Sequence, residues 1–382
     1  MPDISDMPGN PEEPGQEDAN DGLFAGNLPI QEALLRLRLR LLDLTGRNRL
    51  LNFKHSPGKS LQFVNCSVDS IFSRLVDAGP GAKIEIKPVP EPAKEDWSVK
   101  NGRLSKPDAK DHAVACGIDV SIDLPEVIRR SSRGDTQVQA LYFAEDLGKH
   151  CRKLDREARL AIEETGANML YLVLGFLEYV DVKDSDRFFQ APLVCIPVKL
   201  EKVDAGKFPS FNIVFTGDEL TDNLSLREKV KRDFGLNLPE FVEGETSLNV
   251  YFSALQLAIE DQPGWKLRRR TTLALLSFTN MLLVRDLDPE KWPRAGAGSS
   301  LTEHPIIRRV FEGNRTPSED DARYSQEYKI DEHRHVDLPL IYDADSSQHS
   351  ALIDVLDGKT IVIEGPPGTG KSQTIASCDS VL

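Results

Sequence analysis

The sequence is poor in cysteine, and its cysteines are scattered. Five occur among 382 residues, and no two of them form a CxxC pair. Structural zinc sites and disulfide frameworks are built from closely spaced cysteines, so the sequence predicts neither. Scattered single thiols are typical of proteins in a reducing compartment, and we therefore expect a cytoplasmic protein.

Long apolar runs are absent as well. The longest extends from Met169 to Leu177, whereas a helix needs about 20 apolar residues to cross a bilayer. The N-terminus is acidic and lacks the basic residues that begin a signal peptide. We expect neither a membrane-spanning segment nor a membrane partner.

Basic residues are outnumbered by acidic ones, 47 to 61, which gives a net charge of −14. This excludes a protein that is basic throughout, as many nucleic-acid-binding proteins are, but it leaves room for a local basic face. Seven acidic and no basic residues lie in 1–22, and residues 1–24 have almost no large apolar side chains. We predict a disordered acidic tail over residues 1–24.

The most informative stretch lies near the C-terminus. Residues 365–372 read Gly-Pro-Pro-Gly-Thr-Gly-Lys-Ser and fit the Walker A pattern, in which glycines let backbone N–H groups point at phosphate oxygens. Lys371 is expected to contact the β- and γ-phosphates and Ser372 to give its hydroxyl to Mg²⁺. The pattern predicts ATP and Mg²⁺ as cofactors. A strand is predicted before the loop, over 361–363, and a helix after it, from Ser372.

Only ten residues follow Ser372. Hydrolysis of ATP also needs an acidic residue for Mg²⁺, a group that orients water and usually an arginine. Ten residues cannot supply these groups. We expect the chain to be the front part of a longer protein and to be inactive as an ATPase by itself.

Leucines near the N-terminus are spaced as on one face of a helix. They are Leu34, Leu37, Leu41 and Leu44. The Leu-Arg alternation of this segment leaves a strand as the alternative, but its length favours a helix over residues 31–44.

Four arginines cluster in and after this helix: Arg36, Arg40, Arg47 and Arg49. They could contact the phosphates of DNA or RNA. The alternative is a solvated helix face with pairs four residues apart. Arg47, Asn48 and Arg49 could instead bond the terminal carbonyls of the helix or a buried carboxylate such as Asp43.

The central region predicts helices around a group of strands. A stripe from Leu147 to Ala161 predicts an amphipathic helix that ends at Gly166, and a second stripe predicts a helix over 226–234. Strands are predicted over 169–179, 191–200 and 211–215, and their short connections predict an antiparallel meander. Residues 272–285 are apolar on most sides and are predicted to form a buried helix.

Two weaker patterns could bind metal. Glu85 and Lys87 with Asp69 or Asp77 resemble the carboxylate–lysine set of metal-dependent nucleases, although charge alternation along a strand is the favoured interpretation. The segment from His333 to His335 could suggest a metal site, but two histidines without a further spaced partner are interpreted as solvated.

A glutamine precedes the Walker A loop at a notable distance. Gln348 lies 23 residues before Lys371, in a segment where Ser346 or Ser347 is predicted to cap a helix. That helix is predicted to place Ala351, Leu352, Val355 and Leu356 on its inner side. Superfamily-one helicases have an adenine-reading glutamine at such a position, and Gln348 resembles it.

Several blocks of the sequence together resemble one family. They are residues 41–53, 170–178, 191–198, 284–289 and 343–348. In this order they are similar to the domain of unknown function 4011, which precedes the motor of large bacterial superfamily-one helicases that are often linked to phage defence. The resemblance covers about residues 30–376 and departs from the family at 377–379.

The resemblance implies an α/β chain: an α+β accessory domain with an antiparallel meander, followed by the start of a RecA-like P-loop domain. We expect a tail over 1–24, the accessory domain over 25–290, a connection over 291–335 and the incomplete motor over 336–382. The implied cofactor-binding residues are Gln348, Gly365, Pro366, Pro367, Gly368, Thr369, Gly370, Lys371, Ser372 and Gln373. Lys371 is also the implied catalytic residue, and Ser372 binds the metal.

The sequence thus predicts the N-terminal part of an ATP-dependent DNA or RNA helicase, whose remaining motor and any nuclease domain lie outside this chain. The alternative is a non-catalytic module that binds nucleic acid or a partner protein and keeps the nucleotide loop only as a remnant.

Overall fold

The structure is a computed structural model and describes residues 29–100, 103–123, 136–181, 184–203, 208–292, 300–312, 340–359, 361–366 and 368–381. The chain divides into two compact units, Met1–Phe311 and Glu312–Leu382. The predicted acidic tail, most of the predicted connection over 291–335 and the segment from His333 to His335 lie outside the described residues. Within the described part, no helix is both long and apolar enough to span a bilayer.

The first unit contains both helices and strands, in mixed order along the chain. Its helices are α1 (Ile30–Leu41), α2 (Val68–Phe72), α3 (Ala109–Ala115), α4 (Ala144–Thr165), α5 (Leu224–Phe234), α6 (Leu248–Ala258), α7 (Thr279–Asp286) and α8 (Pro305–Glu312). Its strands are β1 (Ser60–Val64), β2 (Lys83–Val89), β3 (Ser98–Lys100), β4 (Arg103–Ser105), β5 (Gln137–Phe143), β6 (Leu170–Asp181), β7 (Asp184–Val203), β8 (Ser210–Phe215), β9 (Thr221–Asp222) and β10 (Lys266–Leu275). A π-helical turn, Ser73–Asp77, follows α2.

Seven strands close into a barrel in the order β6-β10-β1-β5-β2-β8-β7, and β7 pairs back with β6. Strands β2 and β5 run parallel, and the other neighbouring pairs are antiparallel. The short strand β9 adds to β7, and β3 pairs with β4 outside the barrel. Closure leaves these seven strands with partners on both sides, which removes the open edges of a flat sheet.

The predicted antiparallel meander is confirmed as β6, β7 and β8. Strand β7 is 20 residues long and changes partner along its length. It pairs with β6 as far as Pro197 and with β8 from Val198 onward. One long strand therefore carries the sheet around a corner of the barrel.

The predicted helices at the N-terminus and in the centre are confirmed. The leucine-rich segment forms α1, which ends at Leu41, so that Leu44 is buried in the following loop rather than on the helix. Helix α4 buries Leu147, Cys151 and Leu154 along one face. Gly166 ends α4 in the left-handed conformation, with φ of 71°, which glycine adopts without Cβ strain.

The prediction of one buried helix over residues 272–285 is wrong. The first part of this segment belongs to β10, which pairs with β6 and β1, and only the second part forms a helix, α7. Residues Thr271 to Ala274 are all buried, and a short run that is buried on both faces looks the same in a strand and in a buried helix. The β-branched Thr271 and Thr272 were the signal that favoured a strand.

The described part of the second unit consists of two helices joined by a loop. They are α9 (Ser346–Leu356) and α10 (Lys371–Val381), which pack against each other. Residues 361–363 were predicted as a strand, but no strand is formed there. A parallel strand needs hydrogen-bonding neighbours, and the described residues of this unit, 340–381 with their gaps, supply no other strand.

Candidate functional site

The side chain of Lys371 forms hydrogen bonds to the first residues of the predicted Walker A loop. The Nζ atom of Lys371 donates hydrogen bonds to the carbonyl oxygens of Gly365 at 2.6 Å and Pro366 at 2.7 Å. The hydroxyl of Thr369 donates to the same Pro366 oxygen at 2.9 Å. An ammonium has three N–H donors, so the two carbonyls leave one donor for a further acceptor. The lysine is thus held at the loop, where an anion could approach it.

Two glycines give the loop its shape. Gly368 and Gly370 have φ of 89° and 75°, a region that side-chain-bearing residues rarely adopt. A Cβ atom on Gly365 would lie 2.6 Å from the Thr369 hydroxyl, and one on Gly370 would collide with the amide nitrogen of Gln348. The backbone conformation thus favours glycine at Gly368 and Gly370, and a side chain at Gly365 would have to displace the Thr369 hydroxyl. This preference fits a cradle in which backbone atoms surround a phosphate.

Helix α10 begins at the lysine and brings its N-terminal end to the loop. Lys371 is its first residue, and the Ser372 and Gln373 side chains are exposed in its first turn. Unpaired N–H groups and the helix dipole favour anions at such an end. Thr374 and Ser377 are buried on the opposite face. Pro367 lies outside the described residues, so its predicted role stays a prediction.

The side chain of Gln348 contacts the loop. Its side-chain amide donates to the carbonyl oxygen of Thr369 at 3.2 Å. Its side-chain oxygen accepts a hydrogen bond from the backbone N–H of Asp345 at 3.1 Å, and its own backbone N–H donates to the Asp345 carboxylate at 2.8 Å. Each end of the amide makes one side-chain bond, so the second N–H and the second oxygen lone pair stay available to an adenine.

The helix cap that positions Gln348 was assigned to the wrong residue. Asp345, not Ser346 or Ser347, caps α9 and forms a reciprocal capping box with Gln348. The Asp-x-x-Gln spacing was a readable signal for this box. The bonds from Gln348 and Ser347 lower the pKa of the Asp345 carboxyl. The inner face was partly misassigned too, because Leu356 is exposed.

The four arginines predicted to contact nucleic acid do not share one environment. Arg36, Arg40 and Arg47 are exposed, and Arg36 forms an ion pair with Glu32 at 2.8 Å. Arg49 is half-buried, and its guanidinium lies 5.3 Å from the centre of the Phe53 ring. The pair of Arg36 agrees with the alternative of a solvated helix face. Arg49 therefore differs from the other three arginines and is a separate candidate for contact with a ligand.

The carbonyls at the end of α1 are bonded by an asparagine and not by the arginines. The side-chain amide of Asn48 donates to the carbonyl oxygens of Leu42 and Asp43, each at 3.0 Å. Its oxygen accepts from the backbone N–H of Leu50 at 2.9 Å. The predicted structural role of this segment is therefore right for Asn48. Arg47 and Arg49 are therefore not needed to bond these two carbonyls.

The segment that follows Arg49 is fixed to the barrel by buried hydrogen bonds. The amide of Asn223 donates to the Leu50 carbonyl at 2.6 Å, and the Tyr179 hydroxyl donates to the Leu51 carbonyl at 3.0 Å. The backbone N–H of Phe53 donates to the carbonyl of Gln190 at 2.6 Å. Arg49 is thus placed by contacts from three distant parts of the chain. Sequence reasoning could not have found this placement.

The carboxylate–lysine set of a nuclease is not assembled as a metal site. Lys87 forms an ion pair with Glu85 at 3.1 Å, whose carboxylate also accepts a bond from Gln137 at 2.9 Å. Asp69 lies 3.8 Å from Arg269. Among the described residues, no group of three or more possible ligands is placed to hold a metal ion. The geometry favours the interpretation as charge alternation.

Comparison with known proteins gives one match. A model of the family described as "Protein of unknown function (DUF4011)" matches residues 40–230, half of the chain. The resemblance that the sequence blocks indicated is confirmed for this part of the chain. Neither a curated protein nor a solved structure matches.

Proposed function

The chain belongs to this family of proteins of unknown function, and we propose that its second unit binds ATP with Mg²⁺ through the loop from Gly365 to Ser372. The observation that carries the proposal is the position of Lys371, whose ammonium closes the loop at the first residue of α10. A cation, a helix N-terminus and a glycine-shaped loop at one place form an anion site of the kind that binds nucleotide phosphates.

Each residue of the loop has a defined part in this proposal. The backbone from Gly365 to Gly370 surrounds the phosphates, and its glycines allow the close approach. Lys371 exchanges its carbonyl partners for phosphate oxygens, which are stronger acceptors because they carry charge. Ser372 is exposed and offers its hydroxyl to Mg²⁺, which neutralises phosphate charge when bound.

Gln348 is proposed to recognise the adenine. Its amide presents both a donor and an acceptor, which match the amino group and the ring nitrogen of adenine. The capping box with Asp345 and the bond to Thr369 keep this amide beside the loop in the absence of a base. We therefore expect a preference for adenine over guanine that depends on Gln348.

We further propose that the parent protein is a superfamily-one helicase that acts on DNA or RNA with a role in defence against phage. The support is the order of the sequence blocks that resemble such proteins, together with the Walker A loop and its preceding glutamine. In this proposal the barrel of the first unit is the accessory domain, the second unit begins a RecA-like motor, and the protein is cytoplasmic.

Calorimetric titration with Mg²⁺ and a non-hydrolysable ATP analogue tests the nucleotide site. We expect binding by the wild type and its loss in Lys371→Ala. Lys199→Ala is the matched control, because it removes the same charge from an exposed position on β7 and should bind like the wild type. Equal binding by Lys371→Ala, or no binding by any protein, would mean that the loop is a remnant and would favour the alternative of a binding module.

A further inference from the structure

A cavity of about 500 Å³ opens in the first unit beside the C-terminal half of α4. Leu160, Met169 and Leu275 give it apolar walls, and Arg49 and Lys59 add positive charge. Its volume lies in the range of about 300–1,000 Å³ that is usual for small-ligand sites. The cavity belongs to the barrel unit and is separate from the nucleotide loop in sequence and in structural unit.

The charge of Arg49 is not neutralised by the protein around it. Among the described residues, no carboxylate forms an ion pair with Arg49, and its Nη2 atom is buried without a hydrogen-bond acceptor. Burial lowers the pKa of its guanidinium. A guanidinium nitrogen that is withdrawn from water usually has an acceptor, because desolvation without a partner is costly. Here the ring of Phe53 supplies only a weak cation–π contact.

The positive charge of Arg49 also acts on its surroundings. Burial, His150 and Arg49 together lower the pKa of His55. The backbone around Arg49 is held by Asn48 and by the buried bonds to Leu50 and Leu51, which fix the point from which its side chain extends. A ligand that enters the cavity is the natural source of a counter-anion.

We propose that this cavity binds the phosphate group of a nucleotide, either free or at the 5′ end of a nucleic-acid strand, through Arg49 and Lys59. The choice of phosphate over carboxylate rests on the proposed function, in which nucleotides and nucleic acid are the ligands of the chain. Two cations suit a phosphate monoester, which carries up to two negative charges near neutral pH.

The rest of the lining suits the remainder of a nucleotide. The apolar walls can cover a base, and Glu157 and Glu164 also line the cavity, where they can accept hydrogen bonds from amino groups of the base. Glu157 lies 3.6 Å from Arg156, which offsets part of its repulsion of an anion. The cavity therefore combines an anion-binding wall with an apolar wall and acceptors.

Titration of the full chain in a Lys371→Ala background tests this site, since that change silences the nucleotide loop. The probes are adenosine monophosphate, adenosine, and an oligonucleotide with and without a 5′ phosphate. We expect each phosphorylated probe that binds to lose at least about tenfold in affinity in Arg49→Gln, as for a charge-assisted contact. Arg74→Gln is the matched control, because Arg74 is exposed and does not line the cavity, so this change should leave binding unchanged.

The probes distinguish the two sources of phosphate. Binding of adenosine monophosphate assigns the cavity to a free nucleotide, and binding of the phosphorylated oligonucleotide alone assigns it to a strand end. No preference for phosphorylated probes, or unchanged binding in Arg49→Gln, overturns the proposal. If Arg49→Gln fails to fold, Ala161→Phe fills the cavity from α4 instead, and retained binding in that variant overturns it equally. These outcomes do not depend on whether the loop of the second unit binds ATP, because every protein in the titration carries Lys371→Ala.

Discussion

The hydroxyl of Tyr179 connects the Arg49 segment to the barrel by a hydrogen bond that one conservative substitution removes. Tyr179 is fully buried, and its hydroxyl donates to the carbonyl of Leu51, a residue 128 positions earlier, at 3.0 Å. Its ring packs against Phe189 and Trp265. Tyr179→Phe keeps these ring contacts and removes only the hydrogen bond.

The expected loss of stability comes from the Leu51 carbonyl, which loses its hydrogen-bond donor. Leu51 is also fully buried, so its carbonyl oxygen would lose its bond where water cannot replace it. A buried group left unsatisfied costs about 1–3 kcal/mol, and we expect Tyr179→Phe to lower the free energy of unfolding by about 2 kcal/mol. The variant should also weaken ligand binding in the Arg49 cavity, because the segment that holds Arg49 loosens.

Urea denaturation of the wild type and two variants measures this effect. Tyr142→Phe is the control, because the Tyr142 ring is only half-buried and packs beside His150, and it should change the free energy of unfolding by less than about 0.5 kcal/mol. Hydrogen exchange of residues 48–53 should become faster in Tyr179→Phe alone. A variant as stable as the wild type, with unchanged exchange, would refute the idea that this bond fixes the segment.

Three further predictions concern other parts of the chain. Burial raises the pKa of Asp222 to about 6 despite Arg227, so the free energy of unfolding of the wild type relative to Asp222→Asn should fall by roughly 3 kcal/mol between about pH 3.5 and 6.5. Lys229→Ala should cost about 3 kcal/mol in urea denaturation, because Lys229 is buried and pairs with two carboxylates. Gly370→Ala should weaken nucleotide binding in calorimetry, since a φ of 75° strains alanine and its Cβ would displace the Gln348 amide.

Each of these predictions has a defined contrary result. The sign for Asp222 follows because the native state holds its proton above the ordinary aspartate value of 3.8, so a relative stability that rises with pH would contradict it. Lys231→Ala, at an exposed position of the same helix, should change the free energy of unfolding little. A loss of stability equal to that of Lys229→Ala would show that the buried ion pairs are not its cause. Gly358 has the same φ as Gly370 but open space around it, so Gly358→Ala should still bind nucleotide.

Elements with a clear period or a clear stop were predictable from the sequence. Helix α4 follows from its apolar stripe and Gly166, and the β6–β7–β8 meander follows from apolar runs with short connections. Both signals are local, because neighbouring residues decide the conformation. Strand β10 was missed because it is buried by two neighbouring strands, and its buried run has no period of its own.

The candidate sites show the same division. The Walker A loop was predicted because its glycines and lysine lie within seven residues, 365–371, and even the Asp345–Gln348 capping box was readable. The Arg49 cavity was not predictable, because α4, Met169 and Leu275 line it from distant parts of the chain. Charge clustering alone grouped Arg49 with Arg36, and only the fold separates a half-buried cation from an exposed one.

Photo-crosslinking with an azido-adenine nucleotide and Mg²⁺, followed by peptide mapping, tests whether ATP binds at the loop of the second unit. We expect the label to attach within residues 340–381 and to be reduced by competing ATP. We also expect no labelling of Lys371→Ala. A label confined to the barrel unit, and equally strong in Lys371→Ala, would contradict the claim that the loop of the second unit is the ATP site.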